Sequence, residues 1–186
     1  LEANPSLTLR DVKHILAKVY SSQGKYKEAE TLYLEVLKAE ERDLGTEHPS
    51  TLITKHNLAR LYKEQGNNDE AERLFLEILE VEEQTLGSNA LSTLRTKENL
   101  AKIYYYLDKD LKALEVFSEV FDARAIVFGL EHPDTQIVKE FMETIVREQE
   151  QLNALAALCN KREERAAPMD SMFQHFLSGK TNFRRN

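Results

Sequence analysis

With 186 residues, 41% apolar content, six Gly and four Pro, the chain is sized for about one domain with its own core, rich in helix formers and poor in hairpin signals. Its one cysteine, Cys159, excludes an internal disulfide, no charged-then-apolar leader is present, and no run approaches the roughly 18 apolar residues that span a bilayer, so a reducing compartment, most simply the cytoplasm, is expected. A formal net charge of -7 argues against nucleic acid as the main ligand, although an acidic total can conceal a basic face.

The chain opens on LEANPSLTL, a joint-like stretch with a proline but no repeat before it and no Met, which hints at a fragment. A first helix is predicted over about 8-23, with Leu16, Ala17 and Tyr20 on one face, and Gly24 supplies a turn. A second helix over about 26-43 carries Ala29 and Tyr33 and stops near Gly45. Pro49 then suits the first turn of a new helix, where no amide donor is needed. The same order returns as helices over about 50-65 and 68-85, and again over about 92-107 and 110-128.

The return is in strict register. Gly45, Gly87 and Gly129 are 42 residues apart, as are Leu16, Leu58 and Leu100; Ala17, Ala59 and Ala101; Tyr20, Tyr62 and Tyr104; Ala29, Ala71 and Ala113; and Tyr33, Phe75 and Phe117. Small residues let two backbones approach, rings fill the space between neighbouring pairs, and Gly24, Gly66 and Asp108 suit a turn with positive φ. Asn89, Ala90 and Leu91 replace the Glu-His-Pro of the other joints, and Ile15 stands where Asn57 and Asn99 recur.

These residues, with NLARLYKEQG, NLAKIYYY, QGKYKEAETLYLEVL and the joints LGTEHPSTL and FGLEHPDTQ, resemble tetratricopeptide repeats of the 42-residue kinesin-light-chain type. The resemblance covers roughly residues 6-147 and implies an all-α, right-handed solenoid of helix-turn-helix repeats that binds a peptide or protein partner. The array is expected over 1-147, as repeats of about 8-49, 50-91 and 92-133 and a half repeat over 134-147, with a C-terminal helical extension over 148-186.

Charge is segregated by helix. The first helices hold nine basic and three acidic residues, net +6, whereas the second helices hold six basic and seventeen acidic, net -11. In the resembled fold the first helices line the concave wall, which implies a basic groove on an acidic back. The residues placed there are His14, Lys18, His56, Asn57, Arg60, Arg95, Asn99, Lys102, Tyr105 and Tyr106. Lys and Arg would take carboxylates of an extended acidic segment, Asn its backbone, and Tyr its apolar anchor. The alternative is a solvated helix face, with the two Asn bridging neighbouring helices.

Catalytic and metal readings find no footing. His48 and His132 belong to joints, His14 and His56 have no HExxH spacing or nearby Cys, and Cys159 lies in an apolar run without a matched His. No catalytic residue, metal or cofactor is therefore expected. Glu-rich stretches such as KAEERD and LEVEEQ read as solvated outer faces.

After Pro133 the apolar positions restart, then step by sevens through Val138, Ile145, Leu152 and Cys159, joined by Phe141, Leu155 and Ala156. One helix of about 30 residues is predicted, broken at Pro168 and followed by a short amphipathic helix that carries Met172, Phe173, Phe176 and Leu177. That helix would cap the array, occupy a groove, or join a second chain as a homodimer, and residues 180-186 are expected to fray. The whole reads as a non-enzymatic adaptor for an acidic protein partner, without nucleic-acid binding or membrane insertion. Its alternative is the regulatory or sensor region of a larger enzyme or nucleotide-driven switch.

Overall fold

The structure is a computed structural model that describes the backbone of residues 8-177 and the side chains to residue 157, residue 155 excepted. Seven helices occupy the described residues in chain order: α1 (Leu9–Ser22), α2 (Tyr26–Asp43), α3 (Pro49–Glu64), α4 (Asn68–Thr85), α5 (Leu91–Tyr106), α6 (Asp110–Phe128) and α7 (Pro133–Leu177). The helices α1 to α6 pair as three antiparallel helix-turn-helix units that pack side by side as an α-solenoid.

The turns depend on the backbone that the period marks. Gly24 and Gly66 have φ of 73° and 79°, and Asp108, among the few side chains that tolerate this region, has 55°. At two joints a histidine caps the next helix: His48 Nδ1 accepts the Ser50 amide at 3.1 Å and His132 Nδ1 that of Asp134 at 3.2 Å. The middle joint has Ala90 in that place, without a side-chain cap, yet its backbone is extended at φ -63° and ψ 145° and α5 starts on schedule. The Thr93 hydroxyl holds this joint by donating to the Gly87 carbonyl at 3.0 Å, as Thr51 does to Gly45 at 2.8 Å. The Asn-Ala-Leu departure thus removes one hydrogen bond and leaves the turn intact.

The core repeats as the sequence does. Ala17, Ala59, Ala101, Ala29, Ala71 and Ala113 have no exposed surface, and Tyr33, Phe75 and Phe117 fill the seams between them. Burying each such ring contributes about 1.5 to 3 kcal/mol. Phe117 stacks on Phe141 of α7 with ring centroids 5.5 Å apart, which extends the seam to the start of the last helix. At the other end α1 is the first helix among the described residues, and Leu16 is 38% exposed where its equivalent Leu58 is 2% exposed.

One expectation is corrected at the C-terminus. A long helix and a separate short one were predicted, but α7 is continuous for 45 residues and passes through Pro168. A proline removes one amide donor, here the partner of the Glu164 carbonyl, and crowds that turn. A helix supported on both sides by good helix formers, such as Ala166, Ala167 and Met169, absorbs that loss. The chain to Met142 forms one compact unit and the chain from Glu143 a second.

Candidate peptide-binding groove

The first helices present four rows of side chains at i, i+3, i+4 and i+7: Asp11, Ile53 and Arg95; His14, His56 and Glu98; Ile15, Asn57 and Asn99; Lys18, Arg60 and Lys102. Among these rows lies a cavity of about 520 Å³ lined by His14, Lys18, Ile53, His56, Asn57, Arg60, Arg95 and Asn99. All of these but Ile53 belong to the set read from the sequence, and none is a carboxylate. Ile53 was missed although its place, one 42-residue step before Arg95, marks it for the same row.

Three further clefts adjoin this cavity. One of about 370 Å³ runs past Lys18, Asn57 and Arg60 to Ser21, Ser22, Tyr33 and Glu64. Another, of about 420 Å³, shares Ile53, His56 and Arg95 and is walled by Pro49, Leu52 and Leu86, with Glu47, Glu82, Thr85 and Ser92. A third, of about 530 Å³, joins Arg95 to Leu91, Ser92, Glu98, Arg124, Phe128 and Asp134. Arg95 therefore stands where three cavities meet.

The two histidines are structural neighbours of the cavity rather than free bases. The Asn57 amide nitrogen lies 3.0 Å from His14 Nε2 and Thr54 Oγ1 lies 3.2 Å from Nδ1. With Asn57 donating, neutral His14 carries its proton on Nδ1. Burial lowers the His14 pKa, opposed by Glu40. His56 is 8% exposed, sits edge-on to Phe75, and has no hydrogen-bond partner at Nε2. Burial, then the charges of Arg95, Arg60 and Lys63, push its pKa down to about 4. Asn99, the counterpart of Asn57, does not reach His56: its amide donates to the Arg95 carbonyl of its own helix at 3.0 Å, and its oxygen accepts from Lys63 at 3.5 Å.

The remaining groove residues lie apart from this cavity. Lys102 is held by Glu98 and lies over the Phe141 ring, 4.9 Å from its centroid. Tyr105 and Tyr106 pack on each other with centroids 5.6 Å apart, Tyr106 being exposed. Of the nine basic residues counted on the inner wall, Arg10, Lys13, Lys55 and Lys97 turn outward, Arg10 reaching Asp43 at 2.6 Å. Lys13 reaches Glu35 at 2.7 Å, Lys55 reaches Glu41 at 3.5 Å and Glu77 at 3.2 Å, and Lys97 reaches Glu83 and Glu119 at 2.9 Å each. Lys55 and Lys97 each tie the outer helices of two successive repeats together. Burial would lower the Lys97 pKa, but the hydrogen bonds it donates to Glu83 and Glu119 outweigh that and the pKa is raised.

In the C-terminal extension Leu152 is exposed. The side chains of Leu155, Cys159, Met172, Phe173, Phe176 and Leu177, and residues 180-186, lie outside the described residues. Among the described residues no group of three or more His, Cys, Asp or Glu is placed to hold a metal, and no helix is long and apolar enough to cross a membrane.

A family model described as tetratricopeptide repeat matches residues 9-81 and 56-126. Among solved structures, the chain is similar to nearly identical TPR-like repeats from a Podosopora anserina protein described as a kinesin light chain, at 28% identity and a TM-score of 0.69, over 76% of this chain and 67% of that one. It shares its fold with BtubC (BKLC) from P. vanneervenii, at 18% identity and a TM-score of 0.69 over 96% of this chain and 68% of that one. The Sgt2 TPR domain from Aspergillus fumigatus has the same fold at 19% identity and a TM-score of 0.53, over 81% of this chain and 83% of that one. Among curated protein sequences none matches the chain.

Proposed function

Because the chain belongs to the tetratricopeptide-repeat family, with an array of the kinesin-light-chain type and hence a protein-interaction scaffold, we propose that it binds an acidic, extended segment of a partner protein along α1, α3 and α5. One observation carries this reading: the cavity at the centre of that wall holds Lys18, Arg60 and Arg95 and no carboxylate, on a chain whose net charge is -7. Guanidinium groups suit carboxylates because their planar fork matches the two oxygens. Asn57 and Asn99 supply amides beside the cations, and the adjoining cleft of Pro49, Leu52 and Leu86 offers apolar surface to the same segment. Nothing in this arrangement needs a metal or cofactor.

A shallow groove of this kind binds at about micromolar strength, or roughly -8 kcal/mol. Titration calorimetry with peptides from an unbiased display library tests the reading. Acidic sequences are expected, and Lys18→Glu combined with Arg95→Glu should abolish their binding while leaving the circular-dichroism melt in place. Selection of basic peptides, or acidic ones indifferent to that pair of changes, would overturn it.

A further inference from the structure

We propose that the anion-reading part of the groove runs through the first two repeats and the start of α5 and ends at Glu98, so that a partner's carboxylates are taken by Lys18, Arg60 and Arg95 and not by Lys102. This rests on the reading above and adds the register of the bound segment.

The rows of the groove fix the comparison. Lys18, Arg60 and Lys102 occupy one row, and His14, His56 and Glu98 the row one turn before it. In the first two repeats the residue beside the cation is a buried or half-buried histidine whose pKa is lowered, which makes no claim on the cation. In the third it is a carboxylate. Glu98 Oε1 accepts from Lys102, and Oε2 accepts from Arg124 at 2.6 Å. Arg124 is itself buried and also donates to the Asp134 carbonyl at 3.0 Å. Burial would raise the Glu98 pKa, but these two cations outweigh it and hold the group ionised. Lys102 thus already has the partner that an incoming carboxylate would supply.

The cations that precede Glu98 in the groove are in a different state. Among the described residues neither Lys18 nor Arg95 has a carboxylate within ion-pair distance, and Arg60 meets Glu64 only at 3.6 Å between exposed side chains. A pair so exposed is readily exchanged for a ligand carboxylate. The position of Arg124 on α6 is held by Glu40 on α2 and Glu82 on α4, and Glu82 accepts from the Thr96 hydroxyl at 2.6 Å instead of meeting a groove cation. The third repeat therefore carries a carboxylate and a guanidinium where the first two carry histidine and glutamate, and its groove position is neutralised from within.

The test uses the full chain and a fluorescein-labelled peptide of alternating Glu and Ser, read by anisotropy at low salt. Lys18→Gln and Arg95→Gln should each weaken binding by about fivefold or more, whereas Lys102→Gln should change it by less than about twofold, because Arg124 still holds Glu98. A circular-dichroism melt confirms that each variant is folded. Glu98→His combined with Arg124→Glu gives the third repeat the residues that the other two carry at these positions and removes the carboxylate that holds Lys102. It should tighten binding of a peptide one repeat longer by about threefold. Equal losses from Lys102→Gln and Arg95→Gln would overturn the register and leave the groove reading standing. Failure of the peptide to bind, or indifference to all three single changes, would overturn both.

Discussion

His56 is neutral in the fold because it is buried against Phe75 with Arg60, Arg95 and Lys63 nearby, and its pKa of about 4 lies well below the ordinary 6.5 of an exposed imidazole. The sign of the consequence follows from proton binding. Between about pH 4 and 6.5 the unfolded chain holds a proton on this ring that the native chain lacks, so acid favours unfolding. Stability should be flat above pH 7 and fall as pH drops through that window, by on the order of 3 kcal/mol in full. His14, shifted the same way, adds to the slope. Urea melts at pH 7.5 and 5.0 should show this loss, and His56→Gln should remove most of it; an unchanged slope in that variant would place the titrating group elsewhere. At the same scale lies a reading that sequence alone blurred. Lys13 and Lys18, like Lys55 and Arg60, are five residues apart and so about 140° apart around a helix. Counting them together as one basic wall hid the fact that one of each pair faces the outer helices. The positions were legible from a helical wheel; their partners were not, because Glu41 and Glu77 come from different repeats.

At the level of the helix, the period exposed nearly everything that concerns packing. Alanines at 59 and 71, and at 101 and 113, mark where two backbones meet, and the structure buries all of them fully. Ala59→Leu or Ala101→Leu should therefore cost about 1 to 3 kcal/mol by overpacking. Glu80→Gln, on the exposed side of α4, should stay within about 0.5 kcal/mol. Denaturant melts that gave equal effects would contradict the assignment of inner and outer faces. The last helix was less legible because the period no longer applies there. Pro168 reads as a stop by local rules, but whether one missing amide ends a helix depends on the energy of the turns on each side, which a single residue does not encode.

For the whole array, stability in a solenoid is a sum over repeats and the seams between neighbours, so a seam altered in one copy need not disturb the others. The groove follows the same logic: its rows were readable from one 42-residue step, but the state of each cation was not, because that depends on a carboxylate reaching across from another helix. The Glu-Arg pair of the third copy, at positions where the first two carry His and Glu, has a consequence for how such a protein changes over generations. Converting one into the other takes two substitutions, and each intermediate carries a buried charge without its complement. Glu98→His alone strips Arg124 of its carboxylate, and Arg124→Glu alone sets a second carboxylate against Glu98 in place of its guanidinium partner. Each single change should cost about 3 to 5 kcal/mol, while the pair should recover most of the loss, a non-additivity that a double-mutant cycle in urea measures directly. Additive costs would mean that the two side chains do not depend on each other. A lineage that has crossed this valley is held on the far side by the same barrier, so the third repeat, once inverted, does not drift back to the form of its neighbours one mutation at a time.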